Sequence, residues 1–188
     1  SQKKSATKSV SSKGGTQLTP FEINVADYEE NRHFFLAHYF RDIYDKAMST
    51  LPNITTGIKI TRVEIWVTNK TGTTSNSRNV IALTDLGEGA HVSNPLWGGY
   101  TSLPPSNTAN SEYQQMTTQY ADARNIDKTS SVLATIPDFE GGVDYEKVQS
   151  ARLLTSSEYT LNSALGYVSL KSTLQTDQVL AVAYEYTL

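Results

Sequence analysis

The stretch that decides the fold is Phe34–Gly72, which reads FFLAHYFRDIYDKAMSTLPNITTGIKITRVEIWVTNKTG. Its first half carries apolar residues at three- and four-residue steps, which is typical of one buried face of a helix. Asp27 followed by Glu30 predicts a capping box at the start of this helix. Pro52 predicts its end, because the residue before a proline is displaced from helical geometry. The predicted buried face comprises Leu36, Phe40, Ile43, Ala47 and Leu51.

A long strand follows the helix, and its apolar residues change phase part-way along. They share one parity up to Ile60 and the other parity from Val63 onward. The switch near Thr61-Arg62 favours either a bulge or a strand that is buried on both faces. Residues 79–86, NVIALTDL, predict a second strand. A helix followed by two strands indicates an α+β fold in which the helix lies on a sheet.

The C-terminal part is predicted to be rich in strands. Residues 158–161 and 167–170 flank the turn-like NSALG and predict a hairpin, and 178–187 predict a final strand. Residues 143–154 have apolar side chains at helical spacing but could equally be extended. We therefore predict an α+β fold with a mainly antiparallel, sandwich-like sheet, one long amphipathic helix packed on it and a long irregular loop.

The chain divides into a leader and one domain. Residues 1–20 are predicted to be a flexible or extended leader, since they carry four lysines and no acidic residue. Residues 21–188 are predicted to form a single soluble α+β domain with an irregular insertion at 87–137. Within this insertion Ser111 could cap a short helix, and a short apolar element surrounds Leu133. The start at Ser1 without methionine and the end within a predicted strand suggest a piece of a longer polypeptide.

Composition excludes several classes of function. The 188 residues are 38% hydrophobic and carry a formal charge of -3, which argues against a nucleic-acid-binding protein. The absence of cysteine excludes cysteine nucleophiles and thiolate metal sites. No apolar run approaches the length of a membrane-spanning helix.

The candidate site residues are aromatic. Trp97 and Tyr100 lie beside a glycine pair, and with Tyr113 they could contact a partner or form a platform for sugars or peptides. The alternative is that Trp97 and Tyr100 fold back to cover the sheet. His33 and His38 are spaced poorly for a shared metal, and no nucleophile motif is present. We therefore predict no catalytic residue, no cofactor and no metal site, and expect the protein not to be an enzyme.

Five sequence blocks carry a resemblance to a known family. They are FFLAHYFRDIYDKAMSTLPNI, ITRVEIWVTNKTG, NVIALTDLGE, DYEKVQSARLLTSSEYTLNSALGYVSL and DQVLAVAYEYT. Together these blocks resemble the SprA/Sov family of very large outer-membrane proteins of Bacteroidetes. That family is tied to gliding motility and to the type IX secretion system, where it resembles a giant β-barrel translocon. The similar region runs from about Phe21 to Leu188.

The resemblance implies a role and a set of partners. The chain would be a soluble, non-catalytic structural or interaction segment of the translocon, on the periplasmic or cell-surface side of the outer membrane. Its partners would be the rest of the same polypeptide, secreted protein cargo and other translocon subunits. The alternative function is a cell-surface module that binds carbohydrates or peptides through exposed aromatic side chains.

Overall fold

The computed structural model describes residues 6–8, 21–23, 28–49, 51–54, 56–72, 74–98 and 104–188. Within these ranges the chain forms nine strands and three α-helices. In chain order they are β1 (Ala6–Lys8), β2 (Phe21–Ile23), β3 (His33–Phe35), α1 (His38–Met48), β4 (Lys59–Val67), β5 (Ser77–Leu83), α2 (Glu112–Thr118), α3 (Thr129–Leu133), β6 (Tyr145–Leu153), β7 (Tyr159–Asn162), β8 (Tyr167–Leu170) and β9 (Leu180–Thr187).

The strands of the described residues form three sheets, in which every named strand pair is antiparallel. One sheet has the order β5-β6-β4-β9, a second has the order β3-β8-β7, and β1 pairs with β2. This confirms the predicted α+β class with mainly antiparallel sheets. The predicted hairpin is present as β7 and β8, and the predicted final strand is β9. The division into a leader and a single domain stays a prediction.

The amphipathic helix is shorter than predicted, because the residues before it belong to a sheet. α1 has 11 residues and begins at His38. The backbone N–H of Leu36 donates to Gly166 (2.9 Å), and the carbonyl of Arg32 accepts from Leu170 (2.7 Å). Asn31 has a left-handed φ of 55°, which ends any helical turn there. The predicted capping box is therefore wrong at Glu30, while Asp27 lies outside the described residues.

The phase switch in β4 is a bulge, as one of the two alternatives predicted. Ile60 pairs with Tyr186 and Arg62 with Glu185, so Thr61 is an extra residue in β4. The strand is also buried on both faces beyond the bulge, since neighbouring Ile65 and Trp66 are 0% and 6% exposed. Both alternatives therefore hold, in different parts of the same strand.

The main core lies between α1, the three-stranded sheet and one face of the four-stranded sheet. Phe40 of α1 is fully buried at its centre. The predicted helix face is buried at Leu36, Phe40 and Ala47 and half-buried at Ile43. The prediction is wrong for Leu51, which lies beyond the end of α1 and is 61% exposed. Residues packed in this core also come from β4 and the residue before it, from β8 and from the loop after β6: Ile58, Ile60, Ile65, Val67, Leu154, Val168 and Leu170.

The described residues of the insertion at 87–137 form helical elements and contribute to a second core. The insertion contains α2, α3 and two short 3-10 turns, at Pro95–Trp97 and Ala121–Arg124. The predicted short helix after Ser111 is confirmed as α2. Trp97 and Leu133 of the insertion pack with Phe139, and Ile81 and Leu83 of β5 pack against this cluster. The insertion thus covers the part of the four-stranded sheet that α1 leaves open.

Candidate interaction groove

A groove with a volume of about 1110 Å3 runs between β5 and β9, the two outer strands of the four-stranded sheet. Consecutive residues of both strands line it, 80–83 in β5 and 180–186 in β9. Successive side chains of a strand point to opposite faces of the sheet. Since consecutive residues of both strands line the groove, its walls are the edges of these strands and not one face of the sheet. The beginning of α1, the turn after β5 and residues 105–107 contribute the remaining lining.

The groove involves all four strands of the sheet. β6 and β4 lie between β5 and β9 in the strand order, yet residues of both outer strands line the same groove. Trp66 of β4 and Glu146 of β6 contribute to the lining as well. Next to the groove, Val80 packs beside its register partner Val148, and Ala181 packs beside its register partner Trp66.

The edge of β9 that faces away from β4 has no backbone partner among the described residues. Val179 bonds toward β4, since its carbonyl accepts from the Thr68 N–H (3.1 Å) and its own N–H donates to Thr68 Oγ1 (2.9 Å). Backbone groups of a strand alternate in direction, so those of Leu180, Val182 and Tyr184 point outward. No hydrogen bond to these outward groups is found in the part of the chain that the structure describes.

Exposed apolar side chains are concentrated at this groove. The described residues include nine large hydrophobic side chains that are exposed to solvent. Four of them line the groove, and each is 38–40% exposed: Phe35, Leu86, Tyr113 and Val182. Clustering of exposed apolar surface along one concave feature is typical of a contact site for another macromolecule.

The charged residues of the groove are mostly acidic. Its lining holds the carboxylates of Glu88, Glu146 and Glu185 and the guanidinium of Arg41, which gives a net charge of -2 (three negative, one positive) with the lining histidine neutral. Glu185 also lies 3.4 Å from Arg62, a residue outside the lining that pairs more closely with Glu64 (2.6 Å). The groove thus favours a cationic ligand.

A buried polar network fixes one end of the groove. Asn110 is 3% exposed, and its side-chain nitrogen donates to the carbonyls of Asp85 (2.9 Å) and Glu88 (3.1 Å). Glu88 Oε1 accepts from the backbone N–H of His38 at the start of α1 (2.8 Å). Asp85 Oδ2 accepts from both the N–H and the hydroxyl of Ser93. These contacts hold the turn after β5 against α1 and the insertion, so the groove wall is preformed there.

Glu112 at the start of α2 is a buried carboxyl group that belongs to this network through its backbone N–H, which donates to Asn110 Oδ1. It is 1% exposed, and neither of its carboxylate oxygens has a hydrogen-bond partner among the described residues. Burial, together with the smaller effect of the nearby carboxylates of Asp85 and Asp144, raises the pKa of Glu112 to about 8. The sequence reasoning missed Glu112, since a glutamate in the first turn of a helix is normally solvated.

The structure describes two of the three candidate aromatic residues and places them in different surroundings. Trp97 is 1% exposed and packs edge-on against Phe139 at 5.4 Å, so an exposed contact role for it conflicts with its burial. The alternative, in which Trp97 folds back to cover the sheet, describes its position. Tyr113 is 39% exposed and lies at the groove. Tyr100 lies outside the described residues.

The histidines are engaged in local contacts. His33 bonds to Glu29 and Ser169, and the ring of His38 stacks on that of His91 at 4.4 Å. His91 Nε2 lies 2.8 Å from Asp42, and this hydrogen bond lowers the pKa of the Asp42 carboxyl. Among the described residues, no group of three or more acidic or histidine side chains is arranged to hold a metal ion.

In comparison with protein families, the chain matches the model of the SprA N-terminal family, which is described as "Motility related/secretion protein". The match covers residues 1–185 of the 188. The chain belongs to the SprA N-terminal family. No curated protein matches the sequence.

For this SprA N-terminal chain, family membership establishes a relation to motility and secretion. None of its helices in the described ranges has the length and apolar character needed to cross a membrane. The blocks that carried the resemblance include those that build the groove. FFLAHYF supplies β3 and the start of α1, NVIALTDLGE supplies most of β5 and the turn after it, and DQVLAVAYEYT supplies β9.

Proposed function

We propose that this chain is a non-catalytic structural and interaction segment of an outer-membrane protein translocon, and that it serves type IX secretion and gliding motility. It acts through a contact surface, the groove between β5 and β9, and its partners are secreted cargo or other parts of the translocon. The observation that carries the proposal is the match of the motility and secretion family over residues 1–185.

The groove supports a role in binding other proteins. Its walls are strand edges, and four exposed apolar side chains lie along it. Contact surfaces for protein partners commonly combine such exposed apolar residues with unpaired backbone groups. The alternative of a carbohydrate-binding aromatic platform has less support, since of its two described members Trp97 is buried and Tyr113 lies at the groove.

The test is a set of surface substitutions in the full-length protein in its native host. Leu86→Ser and Tyr113→Ser together remove apolar side chains from the groove without touching either core, since both residues are exposed. We expect secretion of cargo and gliding speed to fall while the protein stays at normal abundance.

The matched control is Leu51→Ser with Val143→Ser. These residues are 61% and 63% exposed and do not line the groove. We expect this pair to leave secretion and gliding unchanged. Removal of the whole 188-residue segment without any effect on secretion or gliding would refute the proposal altogether.

A further inference from the structure

The geometry points to a ligand class for the groove: it accepts an extended, basic peptide segment of a partner protein, which adds as a strand to the outer edge of β9. The apolar residues of this segment would contact the groove walls, and its Lys or Arg residues would face Glu146 and Glu185. The inference deepens the proposed function and rests on it.

The first argument is the state of the β9 edge. Natural sheets protect an exposed edge with lysine, proline, a bulge or a short strand. β9 contains no lysine or proline and one charged residue, Glu185; it is eight residues long, LAVAYEYT, and the extra residue at the bulge belongs to β4. An edge of this length with outward N–H and C=O groups is a template for another strand.

The second argument is the space beside that edge. The groove runs along β9 from residue 179 to residue 186, and its far wall is the edge of β5. Residues with small side chains line it in both strands, at Ala82, Ala181 and Ala183. An extended peptide can therefore approach the β9 backbone closely.

The third argument is charge, and it decides the composition of the peptide. The lining carries a net charge of -2, and Glu146 forms no ion pair among the described residues. Oppositely charged groups across an interface favour the correct partner and repel acidic ones. A peptide in which apolar and basic residues alternate would contact the apolar walls with one set of side chains and these carboxylates with the other.

The test measures binding of labelled peptides to the 188-residue chain. The probe is a fluorescein-labelled peptide of alternating valine and lysine, eight residues long to match β9. Its matched control replaces each lysine by glutamate. We expect the basic probe to bind, as measured by fluorescence anisotropy, and the acidic probe to bind at least about tenfold more weakly. Equal binding of both probes, or no binding of the basic probe, overturns the inference.

Substitutions locate the site. Val182→Pro removes an outward N–H, which an edge strand tolerates, whereas Val182→Thr keeps that N–H and a similar shape. We expect Val182→Pro to abolish binding of the basic probe and Val182→Thr to preserve it. Should Val182→Pro fail to fold, Glu146→Lys serves instead, and it should weaken the basic probe and strengthen the acidic one.

Amide hydrogen exchange supplies a readout at the backbone. We expect the basic probe to slow exchange at Leu180, Val182 and Tyr184, whose N–H groups point outward, and to change Ala181 and Ala183 little. Protection elsewhere in the chain overturns the inference, as does a dimer by sedimentation that hides the β9 edge.

The two proposals fail separately. If the probe does not bind but the groove substitutions Leu86→Ser and Tyr113→Ser still impair secretion, strand addition is wrong and the proposed function stands. If the probe binds as expected but those substitutions leave secretion unchanged, the groove binds a peptide and the proposed role in secretion is wrong.

Discussion

The ring of Phe40 fills the space beside the backbone of Gly166. A β-carbon built at position 166 would lie 2.1 Å from Phe40 Cδ1, well inside van der Waals contact. Gly166 also has a left-handed φ of 63°, and its carbonyl accepts from the Leu36 N–H at 2.9 Å. The centre of the main core therefore depends on a glycine in the turn between β7 and β8.

Gly166→Ala should destabilise the protein strongly. The left-handed backbone costs a residue with a β-carbon about 1–2 kcal/mol, and the clash with a fully buried ring adds about 1–3 kcal/mol. The measurement is the free energy of unfolding in urea. Gly72→Ala is the matched control, since its φ is 67° and no described residue other than its chain neighbours has an atom within 4 Å of the added β-carbon. A loss equal to that of Gly72→Ala would show that Phe40 moves aside freely.

Phe40→Ala should lower the free energy of unfolding by about 3–5 kcal/mol, because it leaves a cavity in a core where Phe40 is 0% exposed. Phe35→Ala is the control: this ring is 39% exposed and lies at the groove, so we expect a smaller loss. Thermal melts of both variants check the difference. Equal losses would contradict the placement of Phe40 at the core centre.

Glu112 should make stability depend on pH. Its folded pKa of about 8 lies above the ordinary value of 4.5, so between these pH values the folded chain holds a proton that the unfolded chain has lost. Stability should therefore be fully present below about pH 4.5 and fall as the pH rises to about 8, by at most about 1.4 kcal/mol per pH unit.

Glu112→Gln tests this dependence directly. The amide carries no charge at pH 4.5 or at pH 8. We therefore expect the variant to be more stable than the natural chain at pH 8, and to lose the decrease of stability between these two pH values. Glu140→Gln, at an exposed position, controls for the change in net charge. Unfolding curves at several pH values give the answer, and an unchanged slope in Glu112→Gln would refute the assignment.

Asn110→Ala should loosen the end of the groove. The substitution removes the side-chain donor to the carbonyls of Asp85 and Glu88 and the acceptor of the Glu112 N–H. The Asp85 carbonyl keeps its bond from the Glu88 N–H (3.1 Å). We expect a loss of about 1–3 kcal/mol in the free energy of unfolding and faster amide exchange in the turn after β5. Asn107→Ala, at an exposed position of the same insertion, should change neither quantity. Unchanged exchange in the first variant would mean that other contacts hold this turn.

Local patterns in the sequence predicted the elements whose signals are local. The phase switch before Val63 marked the bulge at Thr61, and Pro52 marked the region where α1 ends. Residues 143–154 could not be assigned, because a second bulge imitates helical spacing. Ser150, with a φ of 50°, is part of the bulge in β6, so Val148 and Ala151 face the same side although they are three residues apart.

The start of α1 and the groove depend on contacts between distant parts of the chain. Residues 33–35 form a strand because β8, more than a hundred residues later, pairs with them. Trp97 is buried because Phe139 and Tyr145 lie beside it in space. The groove requires the edges of β5 and β9 to lie opposite each other, and no sequence pattern within either strand specifies this arrangement. The pKa of Glu112 is raised chiefly by burial, and burial is a property of the packed chain.

The narrow contact between β4 and β6 has a mechanical consequence. These two strands pair at Trp66 with Leu153 and Val67 with Arg152, and the Leu154 N–H after β6 donates to the Ile65 carbonyl (2.8 Å). In contrast, β4 with β9 and β5 with β6 pair along most of their lengths. The sheet therefore consists of two strand pairs, β4 with β9 and β5 with β6, which are joined by one short region of pairing between β4 and β6. Force that pulls the two pairs apart acts on this short region. If the protein is held by both pairs, this region should separate first and widen the groove before either pair unfolds.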